Sequence, residues 1–196
     1  MARPKTYERK EAVERACHAF WAHGYTALGV RELEKLTGLN KFAIRSEFGG
    51  KEGLYVEALR YYAKAANAVV LAPMRVGGIE TIDAFFKGLV TKGCMNCSRF
   101  GCLIVNTGIE NAELKRPALR TASDDYWSLL SQHFEKALRY SIEKGEIDRM
   151  LDTGETSRGL VTAVMGIHTM NRISSAHDGG AALVNMVRSL ITSWRT

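Results

Sequence analysis

The sequence predicts an all-α protein of about nine helices. Apolar residues recur every three or four positions through most of the 196 residues, and no alternation of period two is long enough to predict a strand. Only three prolines interrupt the pattern. A hydrophobic fraction of 46% is typical of a chain that buries a core, which excludes the disordered and low-complexity classes.

The first four helices are separated by glycines. The first carries an apolar stripe, ended by Gly24 in the position that a helix C-cap favours. The members of that stripe are Val13, Ala16, Cys17, Phe20 and Trp21. A short second helix ends at Gly38, and we expect its apolar residues Val30, Leu33 and Leu36 to face inward. The third runs from about Leu39 to Phe48, and a long fourth helix begins near Lys51 and ends before Pro73. Its predicted inner face consists of Tyr55, Leu59, Tyr62, Ala66, Val69 and Val70.

Five further helices follow the Gly77-Gly78 pair. The fifth begins at Ile79, and a loop containing cysteine and glycine separates it from a sixth helix over about 102–114. A long amphipathic seventh helix follows Pro117 and reaches Gly145. Two apolar helices close the chain, separated by Asp178-Gly179-Gly180.

Positive charge is concentrated near the amino terminus. The net charge is +6, and residues 1–55 hold ten Lys and Arg against seven acidic residues. The other 141 residues hold seventeen against fourteen, so the first quarter of the chain is more than twice as positive per residue. This asymmetry favours a polyanionic partner, and a solvated surface with a chance imbalance is the alternative.

Residues 29–48 form a helix-turn-helix pattern, with two short helices on either side of Gly38. In the second helix, Leu39 and Ile44 face inward, which leaves polar and aromatic side chains for a DNA groove. These candidates are Asn40, Lys41, Phe42 and Arg45. Asn, Lys and Arg side chains reach base edges and phosphates, and Phe offers apolar contact to a thymine methyl group.

The wider context resembles the DNA-binding domain of the tetracycline-repressor (TetR/AcrR) family of transcriptional regulators. The matching segments are Ala16-x3-Phe20, Gly24-Tyr25, Val30-Arg31-Glu32-Leu33, Thr37-Gly38-Leu39-Asn40-Lys41 and Phe48-Gly49-Gly50-Lys51-Glu52-Gly53-Leu54. The sequence departs from the family pattern at Leu28-Gly29, Phe42, Arg45 and Glu47, and these departures bear on which operator sequence is bound.

The resemblance implies a DNA-binding domain over residues 1–52 and an effector-binding and dimerisation domain over 53–196. It adds Arg31 and a phosphate contact from Lys51 to the DNA-binding candidates. Arg3 and Lys5 are candidates for an arm in the minor groove, with a disordered tail as the alternative. A homodimer would place two recognition helices about 34 to 36 Å apart on a palindromic operator. The predicted dimer interface uses Val161, Val164, Met165, Val187, Leu190, Ile191 and Trp194, and packing of these residues inside a monomer is the alternative.

The resemblance also implies a small-molecule effector in the helical body, which releases DNA from a repressor. Candidate lining residues, for which simple core packing is the alternative, are Phe85, Phe86, Cys102, Trp127, Phe134, Met165 and His168. A thiol-reactive effector is a second option, because a helix start near Cys102 favours the thiolate. The spacing of Cys94, Cys97 and Cys102 does not suit a zinc site, so we expect no metal.

Several classes of protein are not expected. The sequence contains no nucleophile elbow, phosphate-cradling glycine loop or paired-carboxylate motif, so we expect neither an enzyme nor a cofactor. No apolar run approaches the length of a membrane span, and no secretory signal is recognised, which predicts a cytoplasmic protein. The alternative function is a helical small-molecule-binding or thiol-reactive protein that binds no operator.

Overall fold

A computed structural model describes residues 7–196, and helices account for almost all of their regular structure. The predicted arm residues Arg3 and Lys5 lie outside the described residues. The helices are α1 (Arg9–His23), α2 (Val30–Thr37), α3 (Lys41–Phe48), α4 (Lys51–Val69), α5 (Ile79–Gly88), α6 (Leu103–Leu114), α7 (Pro117–Glu143), α8 (Thr153–Ser174) and α9 (Ala181–Ser193). Over 7–196 these nine α-helices are joined by one 3₁₀ turn (Ala72–Arg75) and no named strand, which confirms the predicted fold class.

Within the described part of the chain, no helix is long and apolar enough to cross a membrane.

Two glycines set the geometry of the first turns. Gly24 ends α1 at φ +86°, donating its N–H to the Phe20 carbonyl at 2.8 Å. Gly38 ends α2 in the left-handed conformation at φ +75°, which a side chain would strain. α1 packs against α4, and α2 and α3 pack beside them, so residues 7–50 form a small helical unit around the buried Phe20, Leu33 and Ile44.

Three residues predicted to face inward are exposed. α1 and α3 cover only the side of α2 that carries Leu33 and Thr37, which leaves Val30 and Leu36 in solvent. Val69 is exposed because α4 ends there, and Leu71 and Met74 of the following 3₁₀ turn take the buried positions instead.

The helical body is organised around α7, which packs against α4, α5, α6 and α8. Phe85, Phe86 and Phe134 form an aromatic cluster between α5 and α7, with ring centroids 5.3 to 5.8 Å apart. Arg188 on α9 donates two hydrogen bonds to Asp83 on α5, at 2.7 and 2.9 Å. This pairing holds α9 beside α5, while α8 packs between α9 and α7.

The predicted dimer interface is wrong for four of its seven residues. Val161, Val164, Val187 and Ile191 are buried inside the single chain, because α8 and α9 turn these side chains toward α5, α7 and each other. Leu190 is 50% exposed, and three neighbours that the sequence did not single out are exposed with it. These are Met170, Ile173 and Met186.

Candidate DNA-binding surface and its junction with the helical body

α3 presents one exposed face of mixed basic and aromatic character. Lys41, Phe42 and Arg45 are exposed on it, and Phe42 is 72% exposed although it is aromatic. The opposite face, with Ile44 and Phe48, is buried. The Lys41 ammonium group lies 5.4 Å from the centroid of the Phe42 ring, so a basic and an aromatic group are available together to a DNA groove.

Asn40 has a structural role that the sequence did not predict. It is the N-cap of α3, and its Oδ1 accepts a hydrogen bond from the Ala43 N–H at 2.9 Å. The residue is exposed, and the capping bond uses its Oδ1 and leaves the amide nitrogen available for other contacts.

The angle between α2 and α3 is fixed by polar contacts. Glu34 accepts the Lys41 N–H at 2.7 Å, and the Thr37 hydroxyl accepts the Leu39 N–H at 3.2 Å. Arg15 on α1 donates to the Thr37 carbonyl at 3.0 Å. Arg31 is exposed in the first turn of α2, on the outside of this assembly.

Glu47, one of the departures from the family pattern, points to a structural contact. The Tyr7 hydroxyl donates to its carboxylate at 2.5 Å, and burial followed by this acidic partner raises the pKa of Tyr7 to about 12. The contact joins the segment before α1 to the end of α3.

Lys51, the expected phosphate contact, is only partly exposed. It is half-buried at the start of α4, with its Nζ 4.4 Å from the ring centroid of Tyr25. Burial lowers the pKa of Lys51, and the nearby Glu110 carboxylate counteracts this effect. A phosphate would therefore compete with Tyr25 and Glu110 for the ammonium group.

Glu110 on α6 joins the helical body to the α1–α2 turn. Its carboxylate accepts the N–H groups of Tyr25 and Thr26 at 2.8 and 3.3 Å. Gly24 has φ +86°, which strains any side chain, and a Cβ atom there would lie 2.8 Å from the end of the Glu110 side chain and displace its carboxylate. The sequence reasoning missed this residue, although a polar side chain one turn after Asn106 and Thr107 on an apolar helix was a visible signal.

Two more contacts join the same parts of the protein. The hydroxyls of Thr107 on α6 and Tyr55 on α4 lie 2.7 Å apart in the core. Beside the start of α7, Arg116 pairs with Glu52 at 2.6 Å.

The α5–α6 loop reaches the end of α1. Trp21 donates its indole N–H to the Gly101 carbonyl at 3.0 Å. Arg172 on α8 donates to the carbonyls of Trp21 and Phe100 at 3.2 and 3.1 Å. The position of the helix-turn-helix unit is therefore set by contacts from α6, α8 and the loop before α6.

Residues 78–187 match the family model described as the C-terminal domain of tetracyclin repressor-like proteins. The chain belongs to the TetR family. It is a DNA-binding transcriptional regulator, and the residues matched by the family model include most of the helical body.

Curated relatives agree with this assignment. The chain is 24% identical over 186 residues to the transcriptional repressor AcnR of Corynebacterium glutamicum, covering 95% of this chain and 93% of AcnR. It is 38% identical over 60 residues to the repressor ComR of Escherichia coli, a match that spans 31% of this chain and 29% of ComR.

A solved structure shares the fold. A cysteine-substituted form of the TetR-family regulator CifR, bound to 26-base-pair operator DNA, matches with a TM-score of 0.78 at 20% identity. The match covers 98% of this chain and 100% of that one. At 20% identity, this likeness is evidence for a shared fold only.

The effector candidates are spread through the body. Phe85, Phe86, Phe134 and Cys102 are buried in its core, and His168 is buried on α8. Trp127 and Met165 are half-buried, and Trp127 lines a shallow crevice between α7 and α8.

A crevice of about 380 Å³ lies between α4 and α7 and contains none of these candidates. Its wall is mostly apolar and includes two oppositely charged side chains, Arg60 and Asp125. The lining residues are Val56, Leu59, Arg60, Ala63, Ala118, Thr121, Ala122, Asp125, Tyr126 and Leu129.

The expectation that the helix start favours the Cys102 thiolate is wrong for this conformation. Burial raises the pKa of Cys102 and outweighs the Tyr62 hydroxyl and the two backbone amides of α6 that lower it. Cys97 is half-buried, and its Sγ lies 3.4 Å from the His177 carbonyl oxygen, which accepts its hydrogen. Within residues 7–196, no group of three or more His, Cys, Asp and Glu side chains could hold a metal ion.

His168 predicts a pH dependence of stability. Burial lowers its pKa from 6.5 to about 4, and its Nδ1 is buried with no hydrogen-bond partner among the described residues. Between these two pKa values the unfolded chain binds the proton and the folded chain does not. The contribution of His168 to the free energy of unfolding is therefore fully present above about pH 6.5. It falls, by up to about 3 kcal/mol, as the pH drops toward 4.

Urea unfolding at pH 7 and pH 5 measures this dependence, with a His168→Phe variant as the comparison. We expect the wild type to lose more stability than the variant on acidification. An equal loss in both proteins would contradict the buried, neutral imidazole.

Proposed function

We propose that this TetR-family protein is a repressor that binds a palindromic operator as a homodimer and is released by a small-molecule effector. The observation that supports it most is the exposed face of α3, where the side chains of Lys41, Phe42 and Arg45 face solvent. The repressors ComR and AcnR among the relatives are consistent with this role. The protein would act in the cytoplasm, where its DNA is, with no cofactor and no catalytic reaction.

The DNA contacts divide into two kinds. Lys41, Arg45 and the amide nitrogen of Asn40 extend from α3 and would reach base edges, while Phe42 would pack on a thymine methyl group. Arg31 and Lys51 would bind phosphates. To reach a phosphate, the Lys51 ammonium group would have to leave the Tyr25 ring. The phosphate contact of Lys51 would therefore depend on how Tyr25 and Glu110 are arranged.

Arg45→Ala tests the base contact. Operator fragments are first selected from random duplex DNA, and affinity is then measured by fluorescence anisotropy at several salt concentrations. We expect a loss of about 1 to 3 kcal/mol and a relaxed preference at one base pair in each half-site. Arg120→Ala, which removes a cation whose side chain is 80% exposed on α7, is the matched control and should bind normally.

Two results would contradict the assignment. One is wild-type affinity in the Lys41→Ala/Arg45→Ala double variant. The other is a wild-type protein that binds selected and random duplexes equally, which would favour the alternative of a helical small-molecule-binding or thiol-reactive protein.

The proposed dimer uses the exposed apolar face of α8 and α9. Met170 and Ile173 lie on α8, and Met186 and Leu190 lie one turn apart on α9, with exposed fractions between 45% and 71%. Two such helix pairs related by a two-fold axis would bury these side chains in a four-helix interface. The cores of α8 and α9 already pack within one chain, so the interface consists of their outer faces only.

Leu190→Asp places a charge at the centre of this face. We expect sedimentation to show a dimer for the wild type and a monomer for the variant at micromolar concentration, with operator binding lost together with the dimer. Met150→Asp, at an 83% exposed position in the α7–α8 connection, should remain dimeric. A monomeric wild type, or a dimeric Leu190→Asp variant, would contradict the proposed interface.

The α4–α7 crevice is the proposed effector site, in preference to the aromatic cluster around Phe86. Phe86 and Phe134 are fully buried and leave a ligand no space, whereas the crevice is open and apolar. An aromatic or aliphatic effector with one charged group suits its wall, because Arg60 and Asp125 both line it. A ligand there would press on α4, whose first residue is Lys51.

Ala122→Trp would fill the crevice from α7. We expect the anionic aromatic probe anilinonaphthalene sulfonate to bind the wild type and to bind the variant at least about tenfold more weakly, since a bulky ring takes its place. Ala84→Trp, at an exposed position on α5, is the control and should leave probe binding unchanged. Undiminished binding in a folded Ala122→Trp variant would place the effector site elsewhere.

A further inference from the structure

The α5–α6 loop holds two half-buried thiols at the ends of one turn. The Cys97 N–H donates to the Cys94 carbonyl at 3.1 Å, and residues 95 and 96 are the central positions of this turn. We propose that Cys94 and Cys97 form an intramolecular disulfide when the protein meets a peroxide, and that the oxidised chain binds its operator more weakly. The second half of this proposal rests on the proposed repressor function.

The backbone geometry of the turn permits this bond. The first and fourth Cα atoms of a β-turn lie less than about 7 Å apart. Disulfides join Cα atoms about 4.4 to 6.8 Å apart, so the separation set by this turn is compatible with a disulfide between the two residues.

The roles of the two thiols differ. Cys97 donates its hydrogen to the His177 carbonyl, and burial, with Cys94 and Asp178 nearby, raises the pKa of Cys97. Cys94 is therefore the thiol that attacks the peroxide, and Cys97 is the resolving thiol. The His177 Nδ1 lies 3.7 Å from the Cys97 Sγ, within reach of the proton that this sulfur releases.

The reaction is balanced by the peroxide alone. The Cys94 thiolate takes one oxygen atom from hydrogen peroxide, which breaks the O–O bond and yields a sulfenic acid and water. Cys97 then attacks the Cys94 sulfur, the S–S bond forms, and the sulfenic oxygen leaves as a second water. Two thiols are oxidised by two electrons, and one peroxide is reduced.

The other two cysteines are poor competitors. Cys17 and Cys102 are buried, and burial raises the pKa of both thiols, for Cys17 to about 12. A peroxide meets the thiols of the loop first, because those are the partly exposed ones.

The disulfide lies next to the contacts that position the DNA-binding unit. Forming it removes the Cys97 hydrogen bond to His177 in the α8–α9 connection. Three and four residues further on, Phe100 and Gly101 accept the hydrogen bonds from Arg172 and Trp21 that hold the end of α1. A constrained turn at 94–97 changes the path of the chain into these contacts.

The sequence gives a direct assay for the bond. Lys92 and Arg99 flank the pair, so trypsin releases Gly93–Arg99 with both thiols and no other cysteine, while Cys102 lies in the following peptide. After hydrogen peroxide treatment of the reduced full-length protein and alkylation, we expect this peptide to be lighter than the reduced form by two hydrogen atoms and to resist alkylation. Dithiothreitol should restore it, Cys102→Ser should behave like the wild type, and Cys97→Ser should not form the product.

A peptide cross-linked from 93–99 to the Cys102 or Cys17 peptide, or a loop that stays reduced, would overturn the proposed disulfide.

Operator affinity tests the proposed regulation. We expect peroxide to lower operator affinity about tenfold in the wild type and in Cys102→Ser, but not in the Cys94→Ser/Cys97→Ser variant. Unchanged operator affinity in a protein whose disulfide has formed would overturn the proposed regulation. If the reduced protein binds no selected operator, both the repressor function and the proposed regulation fail. The peptide measurement still shows whether the disulfide forms.

Discussion

The backbone amides of Tyr25 and Thr26 are the constraint on which the arrangement of this regulator depends. They lie in the turn that links α1 to α2, and their hydrogen-bond acceptor is supplied from the helical body, by Glu110 on α6. A hydrogen bond to a charged group contributes about 1.5 to 3 kcal/mol, so losing it is costly for a small unit. The helix-turn-helix unit therefore takes its orientation from α6, and a side chain at position 24 would displace that carboxylate.

The same helix connects the other candidate sites. Its first turn follows the loop that holds Cys94 and Cys97, its middle contacts Tyr55 of α4 through Thr107, and its end leads into α7 beside Arg116. The α4–α7 crevice is close to these contacts, because Leu59, which lines it, follows Tyr55 by one turn of α4. Both proposed inputs, a ligand and an oxidant, thus act on neighbours of α6.

The helices and the family could be predicted because they depend on local patterns. Apolar periodicity, with glycines at 24, 38 and 49, located all nine helices, and the run from Val30 to Leu54 carried the resemblance. Packing between distant helices could not be predicted in the same way. Periodicity shows that Val187 and Leu190 are apolar, but only the positions of α5 and α8 decide that one is core and the other exposed. Burial likewise raises the pKa of the Cys102 thiol, whereas its place at a helix start predicts a lowered pKa.

The strength of these contacts suits a switch of modest energy. A hydrogen bond between neutral groups, such as that of Trp21 to Gly101, contributes about 0.5 to 1.5 kcal/mol net. An effector that binds the DNA-incompetent arrangement a hundredfold more tightly supplies about 2.7 kcal/mol. That free energy equals the loss of one charged or two neutral contacts, so a ligand need not unfold the junction to shift it. Such a shift would change DNA affinity through Lys51, because its ammonium group interacts with Tyr25 and Glu110 at the junction and would also bind a phosphate.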